Sequence, residues 1–460
     1  MKKAFSVIIS AALVCTMLLT AGCTSKNDDI SDKTVKNDIY DTYEEIKDVS
    51  ADAVTAGDIS KWVLKWAKKN DITAKEIGNG NILLSKGATS GYKDAGVSTL
   101  QCSITDDESS HDAQILAIAL ASLKDTTNHG RIRLLITADA SSVSNKYLQS
   151  DSLLNLSYGK DTKLCTGSAS TAKYTIYRSV SRTSTTGDQA YKITIGGFEG
   201  GNSGDRSRTH PNPVEALASL VNSCQSSNMV IEIAGFSGGS SFDTYPTSAS
   251  VTVVIDKNDI TKFEKKVANA KSDYQDKYVS KESNMSYTLA KTAKPAKVYS
   301  TDDTSNVLSL MYTMSDGVYA TIDGQDSGDS IAVTNLGHLT LKGTKFKAEV
   351  SARSIDADEM KTMNKEFKAT AKLNDMHFKI SRETPLWPYS NNSTLAKDFE
   401  TASGEYGFSL DTSSTYMQND CAIFYSRNDS LNMISLYTNI EDSYSVCKSI
   451  ILFYGNMENN

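Results

Sequence analysis

The sequence predicts an α/β protein in which a split α/β domain encloses an inserted α+β domain. Up to about residue 187, short apolar strands alternate with helical patterns, which is typical of a sheet with helices on its faces. From about residue 188 the order changes to strand, helix, two strands and helix, and a comparable series recurs between residues 346 and 380. We therefore predict two ferredoxin-like α+β half-units in the insertion. The predicted boundaries are 51–187 and 383–460 for the α/β domain and 188–382 for the inserted domain.

The elements of the α/β domain follow from the spacing of their apolar residues. Asp58 is expected to cap a helix whose apolar residues, from Ile59 to Ala67, recur at helical spacing. Residues 113–123 are apolar nearly all round, so we expect a buried helix there. The remaining predicted elements are strands at 81–85, 97–104, 131–137, 421–425 and 433–437 and helices at 394–401 and 443–454.

The inserted domain is predicted to begin with a strand at 191–195 that ends in a glycine-rich turn, residues 196–204. Asn212 and Pro213 then open a helix, as its cap and its first-turn residue. The turn is not a phosphate-binding loop, because no Lys-Ser/Thr pair closes it. The remaining predicted elements are strands at 230–234, 250–255, 346–352 and 376–380 and helices at 213–222, 260–270 and 357–371.

The N-terminus has the pattern of a lipoprotein export signal. Lys2 and Lys3 precede an apolar run, residues 4–19, and Cys23 directly follows Ala-Gly. We expect a signal peptide at residues 1–22, lipid on Cys23 and a flexible polar tether over residues 23–50. The alternatives are an ordinary signal peptide cut nearby and an uncleaved anchor. The expected location is the cell envelope, outside the cytoplasm, with the protein anchored to the membrane through its lipid.

The net charge and the cysteine spacing bear on whether the chain binds nucleic acid or zinc and on whether its thiols are paired. The formal net charge is −7, and removal of Lys2 and Lys3 with the signal peptide would change it to −9. An acidic chain without a basic cluster is not expected to bind nucleic acid. Five cysteines follow Cys23, and none of them has the spacing of a zinc site. An odd number leaves at least one thiol unpaired; which cysteines pair, and the oligomeric state, stay open.

Several segments together resemble one enzyme family. Residues 191–204, YKITIGGFEGGNSG, resemble the GGHSG segment of the zinc exopeptidases of peptidase family M twenty, with Asn202 at the position of the motif histidine. The segments WVLKWAKK, NGNILLS, HGRIRLLIT, VTNLG, ARSID and LWPYSNNSTLAKDF occur in the order used by the aminoacyl-histidine (Xaa-His) dipeptidases, over residues 55–455. This resemblance implies a catalytic-type α/β domain split by a lid domain. In the family, the α/β domain holds two zinc ions.

The same resemblance implies that the metal site is degenerate. The family's metal-site positions fall on Ser103, Thr105, His111 or Asp112, Asp139, Ala140 and Ser157. Hydroxyl groups are poor zinc ligands and alanine is none, so only Asp112 and Asp139 could donate. The resemblance places Asp139 at the position of the family's general base rather than at that of a ligand. The loop that carries the family's last histidine ligand is absent before the final helix. We therefore expect no cofactor and no catalytic residues. A single metal on His111, Asp112 and Asp139 is a weaker alternative, since adjacent side chains diverge.

Two residues of the insertion are candidates for ligand binding. Arg353, within ARSID, matches a lid arginine that is thought to contact the substrate's carboxylate, and an arginine fork suits a carboxylate. Asn202 occupies the histidine position. The expected function is an inactive dipeptidase relative that binds a peptide or amino acid, or acts as a scaffold, at the envelope. The alternatives are a working metallopeptidase with a remodelled site and a purely structural envelope protein.

Overall fold

The computed structural model describes residues 31–50, 55–104, 109–126, 128–205, 211–322, 330–410 and 412–457. Its helices are α1 (Asp32–Ser50), α2 (Ala56–Lys69), α3 (Ser109–Asp125), α4 (Pro213–Ser226), α5 (Ile260–Tyr278), α6 (Thr301–Thr313), α7 (Ala357–Leu373), α8 (Thr394–Gly404), α9 (Asp420–Tyr425) and α10 (Ser443–Asn456). Its first strands are β1 (Thr73–Gly78), β2 (Asn81–Lys86), β3 (Val97–Ser103), β4 (Arg131–Thr137), β5 (Ser152–Tyr158), β6 (Lys163–Ser168), β7 (Ser170–Ser179), β8 (Arg182–Ser184), β9 (Gln189–Gly196) and β10 (Ile231–Gly239). The others are β11 (Ser248–Ile255), β12 (Ser286–Thr292), β13 (Lys297–Tyr299), β14 (Gly317–Thr321), β15 (Ser330–Lys342), β16 (Lys345–Ser354), β17 (His377–Thr384), β18 (Thr412–Thr415) and β19 (Met433–Thr438).

The chain divides into two compact units, one of which interrupts the other in sequence. The first unit contains Met1–Thr166, Ser390–Ser413 and Asn419–Asn460, and the second contains Gly167–Tyr389 and Ser414–Gln418. The insertion therefore starts earlier than residue 188, because β7 already pairs with β16 and β17 in the sheet of the second unit. The mixed α/β architecture agrees with the predicted fold class.

The first unit is built on one sheet with the strand order β1-β2-β4-β3-β5-β19-β6-β18. Its central strands β4, β3, β5 and β19 are parallel neighbours. The carboxyl ends of these strands therefore lie at the same edge of the sheet. We call this the carboxyl edge. In open α/β sheets, ligands bind in the crevice outside the carboxyl ends of the strands.

Helix α1 corrects the prediction of a flexible tether over residues 31–50. Its buried residues Val35, Ile39 and Ile46 form one apolar stripe, and the helix packs on α3 and α10. The stripe is narrow and the other positions are charged, so the composition suggested a solvated segment although the periodicity is helical. Residues 1–30, with Cys23 and the predicted signal peptide, lie outside the described residues.

Two local predictions are corrected by the way in which helix ends are capped. Thr55, rather than Asp58, precedes the first turn of α2, and a carboxylate oxygen of Asp58 accepts hydrogen bonds from the backbone nitrogen (3.3 Å) and the hydroxyl (2.9 Å) of Thr55. The predicted strand at 421–425 is instead helix α9. Asn419 caps it, since its side-chain oxygen accepts a hydrogen bond from the backbone nitrogen of Cys421 at 2.8 Å.

The second unit is a helix-covered antiparallel sheet with the order β12-β9-β11-β10-β15-β16-β7-β17, and β14 pairs with β15 beside this path. Its helices pack against a large apolar core on one face of the sheet. The predicted glycine-rich turn is present after β9. Gly197 has a φ of +84°, and a Cβ atom there would collide with the carbonyl oxygen of Asn284.

The five described cysteines, Cys102, Cys165, Cys224, Cys421 and Cys447, are all buried and unbridged. Within the described ranges, no helix is both long enough and apolar enough to cross a membrane.

The packing of α1 can be tested with two neighbouring residues. Ile39 is fully buried, whereas Tyr40 is 48% exposed. We expect Ile39→Ala to lower the free energy of unfolding by about 2–5 kcal/mol, because it leaves a cavity, and Tyr40→Ala to change it by about 0.5 kcal/mol or less. Urea unfolding followed by circular dichroism measures both. If the two variants unfold at the wild-type midpoint, α1 is not docked.

Candidate functional site

Three of the residues predicted at the degenerate metal site lie at or beside the carboxyl edge of the first unit. Ser103 is the last residue of β3, Ser157 is the next-to-last residue of β5, and Asp139 follows the end of β4. Because these strands are adjacent and parallel, the fold brings the three residues to one edge although they are far apart in sequence.

Asp420 is the centre of the hydrogen-bonding at this edge. Its Oδ2 atom accepts hydrogen bonds from Ser103 Oγ at 2.6 Å, Thr137 Oγ1 at 2.7 Å and Gln101 Nε2 at 2.9 Å. Asp420 is half-buried, at the start of α9. In the described part of the chain its other oxygen, Oδ1, accepts no hydrogen bond. One oxygen of this carboxylate is therefore fixed by the protein, and the other remains available.

A second group of polar side chains continues from Gln101 toward β19. Asn155 Nδ2 donates to Gln101 Oε1 at 2.5 Å, and Asn155 Oδ1 accepts from Ser157 Oγ at 2.9 Å and from Ser435 Oγ at 2.5 Å. Asn419 Nδ2 donates to Ser435 Oγ at 2.8 Å. These amides and hydroxyls satisfy one another, which removes the cost of burying them unpaired. We call the residues around Asp420 and Asn155 the edge network: Gln101, Ser103, Thr137, Asn155, Ser157, Asn419, Asp420 and Ser435.

The other predicted site residues have local structural contacts. The His111 ring stacks on the Tyr158 ring, with a centroid distance of 3.6 Å and an interplanar angle of 8°. Asp139 caps the short turn that contains Ala140, since its Oδ1 atom accepts from the backbone nitrogen (3.0 Å) and the hydroxyl (2.5 Å) of Ser141. Asp139 therefore caps this turn.

Asp112 and Thr105 complete the predicted set. Asp112 lies half-buried in the first turn of α3. Burial, together with the charges of Asp112 and Asp420, raises the pKa of the Cys102 thiol. Thr105 lies outside the described residues.

The described residues at the edge do not fit a pair of zinc ions. Zinc sites in proteins are built from imidazole, thiolate and carboxylate ligands. Among the described residues, no group of three or more histidine, cysteine, aspartate or glutamate side chains could hold a metal ion. At the carboxyl edge, Asp420 is surrounded by the hydroxyls of Ser103 and Thr137 and the amide of Gln101, which donate to its Oδ2 atom and are not typical zinc ligands.

In the second unit, the structure brings together the two ligand-binding candidates. Arg353 is only 4% exposed. Its Nη1 atom donates to the carbonyl oxygen of Tyr416 at 2.7 Å, and its Nη2 atom donates to Asn202 Oδ1 at 3.1 Å and to Ser203 Oγ at 3.2 Å. The arginine that was expected to hold a ligand carboxylate is therefore bonded to the protein, where it supports the glycine-rich turn.

Sequence reasoning missed the central members of the edge network: Gln101, Asn155, Asn419 and Asp420. A signal for two of them was present. Gln101 and Asn155 each lie in the middle of an otherwise buried strand, and they are 0% and 1% exposed. A long polar side chain at such a position must have a partner, so the two amides indicated a polar cluster across neighbouring strands.

Comparison with known proteins supports the fold through similarity to solved structures. No protein-family model matches the chain, and no curated protein matches it. Among solved structures it is similar to the aminoacylhistidine dipeptidase from Vibrio alginolyticus, with a TM-score of 0.71 and 18% identity over 92% of this chain and 97% of that chain. Weaker similarity extends to a tripeptidase from Staphylococcus aureus, with a TM-score of 0.46 and 12% identity over 92% of this chain and 98% of that chain. A dinuclear metal-binding peptidase of family M twenty from Bacillus subtilis has a TM-score of 0.39 and 9% identity over 92% of this chain and 98% of that chain. The chain therefore has the dipeptidase-type fold that the sequence resemblance predicted.

Proposed function

We propose that this chain is a lipid-anchored, catalytically inactive relative of the aminoacyl-histidine dipeptidases, and that it binds an amino acid or short peptide, or acts as a scaffold, at the cell envelope. The observation that carries this proposal is the edge network. Within the edge network, neutral hydroxyls and amides surround one carboxylate, that of Asp420, at the edge where the sequence resemblance places zinc ligands.

The proposal rests first on the chemistry that these positions lack. Metal-assisted hydrolysis needs a cation that activates water and a base beside that water. Ser103 and Ser157 provide hydroxyls at two ligand positions, and each is already hydrogen-bonded within the edge network. Ala140 provides no ligand atom at all. Asp139, at the position of the base, caps a turn.

The proposed ligand is one with an amino group, because the edge network leaves the Oδ1 atom of Asp420 available as an acceptor. Three donors hold Asp420 Oδ2, so the orientation of the carboxylate is fixed before any ligand arrives. An ammonium group donates up to three hydrogen bonds and would pair with Oδ1. We therefore assign the amino group of an amino acid or peptide to Asp420. Arg353 supports the second unit in this proposal, rather than binding the ligand.

The absence of zinc-dependent catalysis is tested on the full-length protein in detergent. After incubation with zinc and removal of the excess, we expect much less than one zinc per chain, because the edge lacks a set of ligands. We also expect no chelator-sensitive hydrolysis of Xaa-His dipeptides. Metal analysis and a ninhydrin assay measure the two quantities. Stoichiometric zinc, or hydrolysis that a chelator abolishes, would support the working metallopeptidase instead.

The amine contact is tested by calorimetry with dipeptides and their N-acetylated forms. We expect N-acetylation and Asp420→Asn each to weaken binding by about tenfold or more, since each removes a charge-assisted hydrogen bond of about 1.5–3 kcal/mol. Combining the two changes should add little, because they remove the same contact.

Asp429→Asn is the matched control, because Asp429 is exposed and lies shortly after α9. If acetylated and free dipeptides bind equally, the amino group does not contact Asp420. If Arg353→Ala alone abolishes binding while the thermal stability is unchanged, the ligand is held by the arginine, as the sequence suggested.

The anchor is tested by substitution at Cys23. We expect Cys23→Ala to move the protein from the membrane to the soluble fraction, because the lipid would be its attachment. The control is Cys15→Ala, which changes a cysteine within the apolar run and should leave the protein in the membrane fraction. Fractionation after a high-salt wash measures both. Retention of the Cys23 variant would indicate an uncleaved signal or a protein partner.

A further inference from the structure

The interface between α1 and α3 contains a pair of carboxyl groups that belongs to none of the sites described above. Asp125 is the last residue of α3 and is only 3% exposed. Its carboxyl group forms a hydrogen bond with the carboxyl group of Asp38 on α1. An ionised carboxylate can only accept hydrogen bonds, so a bond between two carboxyl groups requires a proton on one of them. The docking of α1 on α3 therefore includes a bound proton.

The lysines near Asp125 direct their donors to other groups. Lys86, the last residue of β2, donates to the carbonyl oxygens of residues 123, 124 and 126 at 3.0, 3.1 and 2.8 Å, which uses all three of its donors. Lys124 donates to Asp38 Oδ2 at 2.6 Å. Among the described residues, Asp125 Oδ2 is buried and has no hydrogen-bond partner. An ionised Asp125 would thus be buried with one oxygen unpaired, which is costly.

The other titratable groups that surround the pair are neutral or have partners of their own. On α10, Cys447 lies near both carboxyl groups, and burial raises the pKa of its thiol to about 12, so the thiol stays uncharged. Lys448, also on α10, pairs with Asp32 at 3.6 Å. His129, shortly before β4, contacts the carbonyl oxygen of Gly130 at 2.6 Å, and burial lowers the pKa of its imidazole.

The surroundings of Asp125 favour its protonated form. Burial and the neighbouring Asp38 raise the pKa of Asp125 to about 7, although the charges of Lys124 and Lys86 act in the opposite direction. The C-terminal end of a helix is also the negative end of its dipole, which disfavours a carboxylate there. With α1 undocked, Asp125 would meet water and ionise near the ordinary aspartate pKa of about 4. The docked state therefore binds more protons between about pH 4 and pH 7, and it loses stability as the pH rises through this range.

We propose that α1 is a pH-sensitive latch, which is docked on α3 by the proton that Asp38 and Asp125 share and is released when that proton is lost. Release would add residues 32–50 to the segment between the predicted lipid anchor and the first unit, so the unit could move further from the membrane at high pH than at low pH. This consequence rests on the proposed anchor, whereas the latch itself does not.

The test measures hydrogen exchange in α1 by mass spectrometry, on the full-length protein in detergent at pH 5 and pH 8. Each rate is compared with the intrinsic exchange rate at the same pH, which gives a protection factor. We expect the protection of α1 to fall by about tenfold or more from pH 5 to pH 8, whereas α2 keeps its protection. Asp125→Asn should give α1 the same protection at both pH values, because an amide stays neutral and can donate to Asp38.

Asp41→Asn is the matched control, because Asp41 is an exposed carboxyl group on the same helix. It removes a negative charge from α1 but leaves the pair of Asp38 and Asp125 intact, so the pH dependence of the wild type is expected. Cys23→Ala should also behave like the wild type, so a failure of the anchor proposal would leave this test valid.

Three results would overturn the latch. The first is equal protection of wild-type α1 at pH 5 and pH 8, and the second is an unchanged pH dependence in Asp125→Asn. The third is a loss of protection in α2 that parallels the loss in α1, since this would indicate unfolding of the whole unit rather than release of one helix.

Discussion

The carboxyl edge of the first unit depends on one constraint: amide side chains buried inside a sheet must be satisfied by one another. Gln101 and Asn155 are almost completely buried in neighbouring strands, and a hydrogen bond of 2.5 Å joins them. An amide buried without partners costs about 1–3 kcal/mol by protein mutational data. Asp420 accepts a hydrogen bond from the Gln101 amide, and Ser157 donates one to the Asn155 amide. Ser103 donates to Asp420 and so completes the group.

The same constraint limits the ligands that the edge network can offer to a metal ion. A pair of cations would require several anionic or imidazole ligands, whereas the edge network contains one carboxylate among neutral groups. Three neutral donors of the protein hold one oxygen of Asp420, so hydrogen bonds rather than a metal ion fix the orientation of this carboxylate. Restoring a single histidine at position 103 would remove a donor to Asp420 and supply only one ligand. A single substitution would therefore not convert the edge network into a site for two zinc ions.

Apolar periodicity and helix caps in the sequence predicted most of the helices and strands. They failed where contacts between distant parts of the chain determine the structure. Strand β4 has the bounds predicted from its apolar run, and α4 begins at Pro213 with Asn212 as its cap. The short run 421–425 is apolar and β-like, so periodicity could not separate a strand from one turn of helix. The side chain of Asn419 caps the first turn of this segment and thereby favours a helix over a strand. Asp420 could not be placed beside Ser103 from the sequence, because 317 residues separate them and only the completed sheet brings them together.

Arg353 has partners within the protein that the sequence resemblance did not predict. The resemblance assigned it to a ligand carboxylate, and its fork geometry suits that role. In the structure, the same fork spans two segments of the second unit: the turn at Asn202 and the carbonyl oxygen of Tyr416. A buried guanidinium must keep such acceptors, because losing them would leave a desolvated charge, so stability alone is sufficient to retain it. Its presence in the sequence is therefore not an argument for a bound substrate. The proposed ligand contact is instead the Oδ1 atom of Asp420, which accepts no hydrogen bond within the described residues.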